Sequence, residues 1–221
     1  MQTRKQTAYR KSRKFGDVYG GRVRQKIPDN IFQRAHSVSR PGPLDELPIV
    51  MRDNPSRDFF FPVMPEEALQ ALKKLPQRDV ETITHLWFRR VNKRDYGEGT
   101  VPFAEFCCGS GVRMVVLYPW PTTLRLNYGT TRPPASTLNW LAQWTRDLVN
   151  DNGTWFLHWT EDAVRAFYLE HLLLHEIGHN VDWYRRRWTK ANRRNAESFA
   201  DDYATFWSSD APGAESMSAP G

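Results

Sequence analysis

The period of apolar and polar positions changes several times along the 221-residue chain, and each change marks an element. Residues 1–48 sustain no period, and the breakers Gly20-Gly21 and Pro41-Gly42-Pro43 interrupt them. Pro65-Glu66-Glu67 opens a helix that runs to about Leu75, because proline suits a first turn and acids suit the positive end of the helix dipole. Alternation near period two then takes over. Residues 81–91, 103–108, 112–118 and 123–128 read as three or four strands, with Gly109-Ser110-Gly111 as a hairpin turn, and predict a small, mainly antiparallel sheet. A helical period returns with Leu138, Leu141, Trp144 and Leu148 on one face, predicting a helix over 137–149 that Asp151-Asn152-Gly153 stops. After the apolar stretch from Trp155 to Trp159, Thr160 is an N-cap with Glu161 and Asp162 in the first turn, and a long helix runs on to about Arg187. From Ala166 to Val181 that helix is apolar on nearly every side apart from Glu170 and a row of histidines, which places it inside the protein. A last helix covers about 195–207, and 208–221 reads as a disordered tail of small residues and proline.

These elements define an α+β domain over 49–207, preceded by an arm over 1–48. Charge sharpens the division. Residues 1–26 hold nine Lys or Arg against the single acid Asp17, a net charge of +8, whereas the whole chain is +6, so the remainder is −2. The basic character therefore belongs to a disordered arm, whose candidate partners are nucleic acid or an acidic surface. No apolar run is long enough for a membrane-spanning helix, and no apolar stretch follows the charged N-terminus as a secretory signal requires. Adjacent Cys107 and Cys108 are poorly placed for a disulfide and read as two reduced thiols. Together these features predict an intracellular protein, cytoplasmic or nuclear.

Within the buried helix stands His175-Glu176-Ile177-Gly178-His179. Residues four apart share a helix face, so the two histidines converge on one ion, and zinc is the ion this H-E-x-x-H arrangement suits. Glu176 is displaced around the helix and reaches a water on the metal, as the base of a metallopeptidase does. Asp182 and Arg185 stand where a metzincin carries Gly and a third His, which excludes that class. Downstream, Glu197-Ser198-Phe199-Ala200-Asp201 is similar to the E-x-x-x-D of the gluzincins, the thermolysin-like metallopeptidases. The resemblance implies that Glu197 is the third zinc ligand and that Asp201 hydrogen-bonds a ligand histidine. The pattern Glu197-x-x-Ala200-x-x-Tyr203-Ala204 also resembles the compact gluzincins related to ImmA and IrrE, in which a small residue lets the two helices approach closely. The resemblance covers residues 160–207.

The expected fold is zincin-like, with a small sheet packed on the H-E-x-x-H helix. The expected reaction is hydrolysis of a peptide or protein substrate. His171, one turn before His175, is a candidate for the pocket, since three histidines in a row span about 12 Å, too far for one ion. Tyr203, His158 and Tyr184 are candidates for stabilising the oxyanion. By analogy, 112–118 or 123–128 supplies the edge strand along which substrate lies. The alternative is a catalytically quiet zincin fold kept for regulation or binding, with the basic arm contacting nucleic acid or an acidic partner.

Overall fold

A computed structural model describes residues 17–19, 38–91, 96, 102–185 and 193–208. Its elements are β1 (Asp17–Tyr19), β2 (Ile49–Arg52), β3 (Phe59–Phe60), α1 (Pro65–Lys73), α2 (Gln77–Val80), β4 (His85–Phe88), β5 (Ala104–Gly109), β6 (Val112–Leu117), β7 (Trp120–Pro121), β8 (Arg125–Gly129), α3 (Ala135–Leu141), β9 (Asp147–Asp151), β10 (Thr154–His158), α4 (Glu161–Ala166), a π-helical segment (Phe167–Leu172), α5 (Leu173–Arg185) and α6 (Arg193–Trp207). The class is mixed α and β. No helix among the described residues is long and apolar enough to cross a membrane.

The larger sheet has the order β1-β2-β4-β6-β5. Its centre is parallel, β2 beside β4 and β4 beside β6, while β1 and β5 join antiparallel at the two edges. The sequence expectation of mainly antiparallel pairing fits the smaller sheets, β8-β10-β9 and β3-β7, but not this centre. The difference follows from β2, which the alternation did not reveal. It returns to the sheet through α1 and α2, and such a crossover makes neighbours parallel. Parallel strands covered on both faces are apolar throughout. In β6 Val115 and Leu117 pack under the helices, whereas Met114 and Val116 pack on the opposite face with Ile49, Met51 and Trp87.

The arm expected over 1–48 is ordered at two places. β1 pairs with β2, and Val38 is buried, because residues leading into β2 cover the second face of the sheet. The remainder of 1–37, and the tail from 209 on, lie outside the described residues. The helix expected over 137–149 ends at Leu141, and Asp147–Asp151 is instead β9, paired with β10. Asn152 and Gly153, both at positive φ (50° and 84°), make the two-residue turn between them. The Asn-Gly pair is a hairpin signal, and here it outranks the helical spacing before it.

The buried helix begins where the sequence places it, with the Thr160 hydroxyl accepting the Ala163 N–H at 3.1 Å. It continues from α4 into α5 through the π-helical segment, ending one turn before His175. Such segments often mark functional sites. The Tyr168 hydroxyl donates to the Tyr118 carbonyl at 2.7 Å and ties this turn to the end of β6.

Candidate metal centre

α5 and α6 pack side by side at a glycine. A Cβ placed on Gly178 would lie 2.7 Å from the Ala200 Cα, so only glycine permits this approach. The closeness matters because α6 carries Glu197 one turn before Ala200. His175 Nε2 lies 3.5 Å and His179 Nε2 3.6 Å from Glu197 Oε2. These three atoms lie within 4.8 Å of one another, a separation that one ion bound to all three can span. Two imidazoles and one carboxylate suit zinc, and three protein ligands leave a position for water or substrate.

Asp201, one turn beyond Glu197, takes the other face of the same histidine. His175 Nδ1 is 2.9 Å from Asp201 Oδ1. Donation from Nδ1–H to the carboxylate fixes the tautomer and leaves the Nε2 lone pair facing Glu197 and His179. The structure thus brings together four of the residues singled out in the sequence, His175, His179, Glu197 and Asp201. Asp201→Asn is expected to leave the fold intact and to weaken zinc binding about 10–100-fold. Competition titration against a chelator measures this. Glu197→Ala is expected to lose stoichiometric zinc, and retention of a full equivalent would point to another third ligand.

Glu176 is buried and stands outside the donor group. Its carboxylate accepts the Phe106 N–H of β5. Burial, and then the charges of Glu197 and Glu105, push its pKa up to about 8, while the bond from Phe106 works in the opposite sense. With no cation at the triad, Glu176 therefore holds a proton at neutral pH. The strand beside it is β5, the edge of the larger sheet. Segment 112–118 is β6, paired on both sides, and 123–128 leads into β8 in the smaller sheet, so neither is the edge beside this carboxylate. No feature of the sequence distinguished β5 from β6 as the outer member of their hairpin.

The remaining candidates are placed differently. The Tyr203 hydroxyl donates to the buried Asp79 carboxylate at 3.0 Å, and its Cβ packs under Gly178. It is a packing residue and does not offer its hydroxyl to the triad. His158 lies at the end of β10, 3.8 Å from Asp147. The side chain of Tyr184 lies outside the described residues. Asn180, which the sequence did not single out, is fully buried beside His179 and anchors α5. It donates to the Asp79 carbonyl at 2.9 Å and accepts from Arg113 at 3.2 Å. Burial raises both cysteine thiol pKa values, that of Cys107 to about 12, so both side chains are held as protonated thiols at neutral pH.

His171 lies in an aromatic enclosure. Its ring stacks on Phe167 (5.7 Å, 11°) and meets Trp140 and Trp144 at 5.1 and 5.3 Å. Burial, then the neighbouring His175, lowers its pKa to about 4, so the folded protein holds it neutral. The unfolded chain protonates this histidine near pH 6.5, so between about 6.5 and 4 the unfolded state binds more protons and stability falls as pH falls. The full effect is up to about 3 kcal/mol. In metal-free protein, the melting temperature of wild type is expected to drop across this window more steeply than that of His171→Phe. Parallel curves would show that His171 is not the titrating group.

No model of a known protein family, no curated protein and no solved structure matches the chain.

Proposed function

We propose that this chain is a zinc-dependent metallopeptidase of the gluzincin type. The observation that carries the reading is the convergence of His175, His179 and Glu197, with Glu176 buried beside the triad and outside its donor set. Zinc held there supplies a Lewis acid for the scissile carbonyl and lowers the pKa of water towards about 7. The residues of the chain supply the rest. Asp201 orients His175. Glu176 takes the proton of the attacking water and returns it to the leaving amine, the acid–base exchange a peptide bond needs. The Phe106 N–H holds the Glu176 carboxylate at the rim of β5, where an extended peptide would lie along a strand edge.

The test is direct. Zinc-loaded protein is incubated with peptides derived from a whole proteome, and new termini are mapped by mass spectrometry against His175→Ala. A recurrent set of cleavages absent from the variant supports the reading. Full zinc with no cleavage shifts the assignment to a zincin-fold binding protein, for which the basic residues 1–26 are the first surface to test against polyanions.

A further inference from the structure

Two three-donor groups overlap on His175: the triad, and a second composed of His171, His175 and Asp201, whose ligand atoms also lie within 4.8 Å of one another. His175 Nδ1 already donates to Asp201 Oδ1, and a nitrogen that carries a proton does not ligate. The second group therefore reduces to two protein donors, a carboxylate oxygen of Asp201 and a His171 nitrogen.

His171 is only 8% exposed, yet its described contacts are with aromatic rings and none is a hydrogen bond. Its nitrogens are not among the fully enclosed polar atoms without partners, so its polar edge opens outward. A group of complementary chemistry is close by in Asp201, whose side chain is 56% exposed. Two ligands on one tetrahedral zinc stand about 3.3 Å apart, so a small closure of Asp201 suffices.

We propose that His171 and Asp201 form a second, weaker site for a divalent transition-metal ion, coupled to the triad through His175. An imidazole and a carboxylate suit zinc, cobalt or nickel, and not calcium or magnesium. The coupling follows from the shared carboxylate. An ion on one Asp201 oxygen draws charge from the other, which weakens the hold on His175 Nδ1–H and the basicity of Nε2. Occupancy of the second site then loosens the first, and the effect is reciprocal. The coupling rests on zinc binding at the triad; the site itself does not.

The experiment titrates full-length protein, preloaded with one equivalent of zinc, with further zinc chloride and with cobalt chloride, followed by calorimetry. Wild type is expected to take one more ion at least about 100-fold more weakly than the first, as two protein ligands hold less well than three. His171→Phe keeps the ring on Phe167 and is expected to retain the first zinc and bind no second. With isotopically labelled zinc at the triad, excess cobalt should speed its loss at least about threefold in wild type and not in His171→Phe. A wild type that stops at one ion up to millimolar metal overturns the inference. So does a second ion that His171→Phe retains, which would be adventitious. Loss that excess cobalt does not speed overturns the coupling. Absence of zinc from the triad overturns the peptidase reading instead, and a single ion lost on His171→Phe would in that case support the site alone.

Discussion

Glu176→Gln is expected to keep the fold and the zinc while lowering peptide turnover about 10²–10⁴-fold, the usual contribution of a general base. Three observations make this variant clean. Glu176 is outside the donor set, so its loss removes no ligand. Its carboxylate accepts the Phe106 N–H, and an amide oxygen accepts the same bond. With no cation bound, burial and its anionic neighbours hold Glu176 protonated at neutral pH. The neutral amide thus resembles the form already present, and the melting temperature of the metal-free variant should lie close to that of wild type. Only proton transfer is lost. Zinc content, melting temperature and turnover of one preparation separate the cases. Loss of zinc would show that Glu176 is a ligand, and unchanged turnover would sink the assignment of Glu176 as base.

The helical half of this fold was legible because its signals are local. A capping hydroxyl at Thr160, acids in the first turn and a histidine pair four residues apart act within one or two turns, and each stands in the structure as its chemistry implies. Alternation marks β4, β5, β6 and β8, but not their neighbours, because pairing partners are set by crossovers distant in sequence. β2 is four residues long and its centre is apolar without alternation, so its parallel place beside β4 left no periodic trace. The segment at 147–151 carries two local signals in conflict. Helical spacing of Leu138, Leu141, Trp144 and Leu148 competed with an Asn-Gly turn, and the turn prevailed because β10 offers a partner to a strand and nothing comparable to an extended helix.

The site divides along the same line. His175 and His179 follow from spacing, and the places of Glu197 and Asp201 from the resemblance their motif carries. Tyr203 is a candidate by its chemistry alone, and chemistry does not say which way a side chain faces. The buried Asp79, far away in sequence, claims its hydroxyl. The same distance in sequence hid Phe106, whose N–H matters only because the edge of β5 comes to rest against Glu176.

Gly178→Ala is expected to be the most damaging small substitution near the site. Alanine is the better helix former by about 1 kcal/mol, so with room to spare the variant would be more stable than wild type. There is no room. The new Cβ would stand 2.7 Å from the Ala200 Cα, 3.1 Å from the Tyr203 Cβ and 3.2 Å from the Ala200 Cβ. The nearest of these is backbone, so no rotamer change relieves the contact and α6 must move away from α5. Overpacking of this kind costs about 1–3 kcal/mol, which corresponds to a fall of roughly 3–10 °C in melting temperature for a domain of this size. The function should suffer more than the fold. Glu197 and Asp201 sit on the displaced helix, three residues before and one after Ala200, so both lose register with the histidines at once. Zinc affinity is expected to fall at least about tenfold, as for loss of a supporting contact. Ala200→Gly in the same chain should not restore it, because the closest clash is with a Cα that glycine also has. A higher melting temperature in Gly178→Ala, or zinc affinity equal to wild type, would mean that the two helices do not meet as closely as this structure places them.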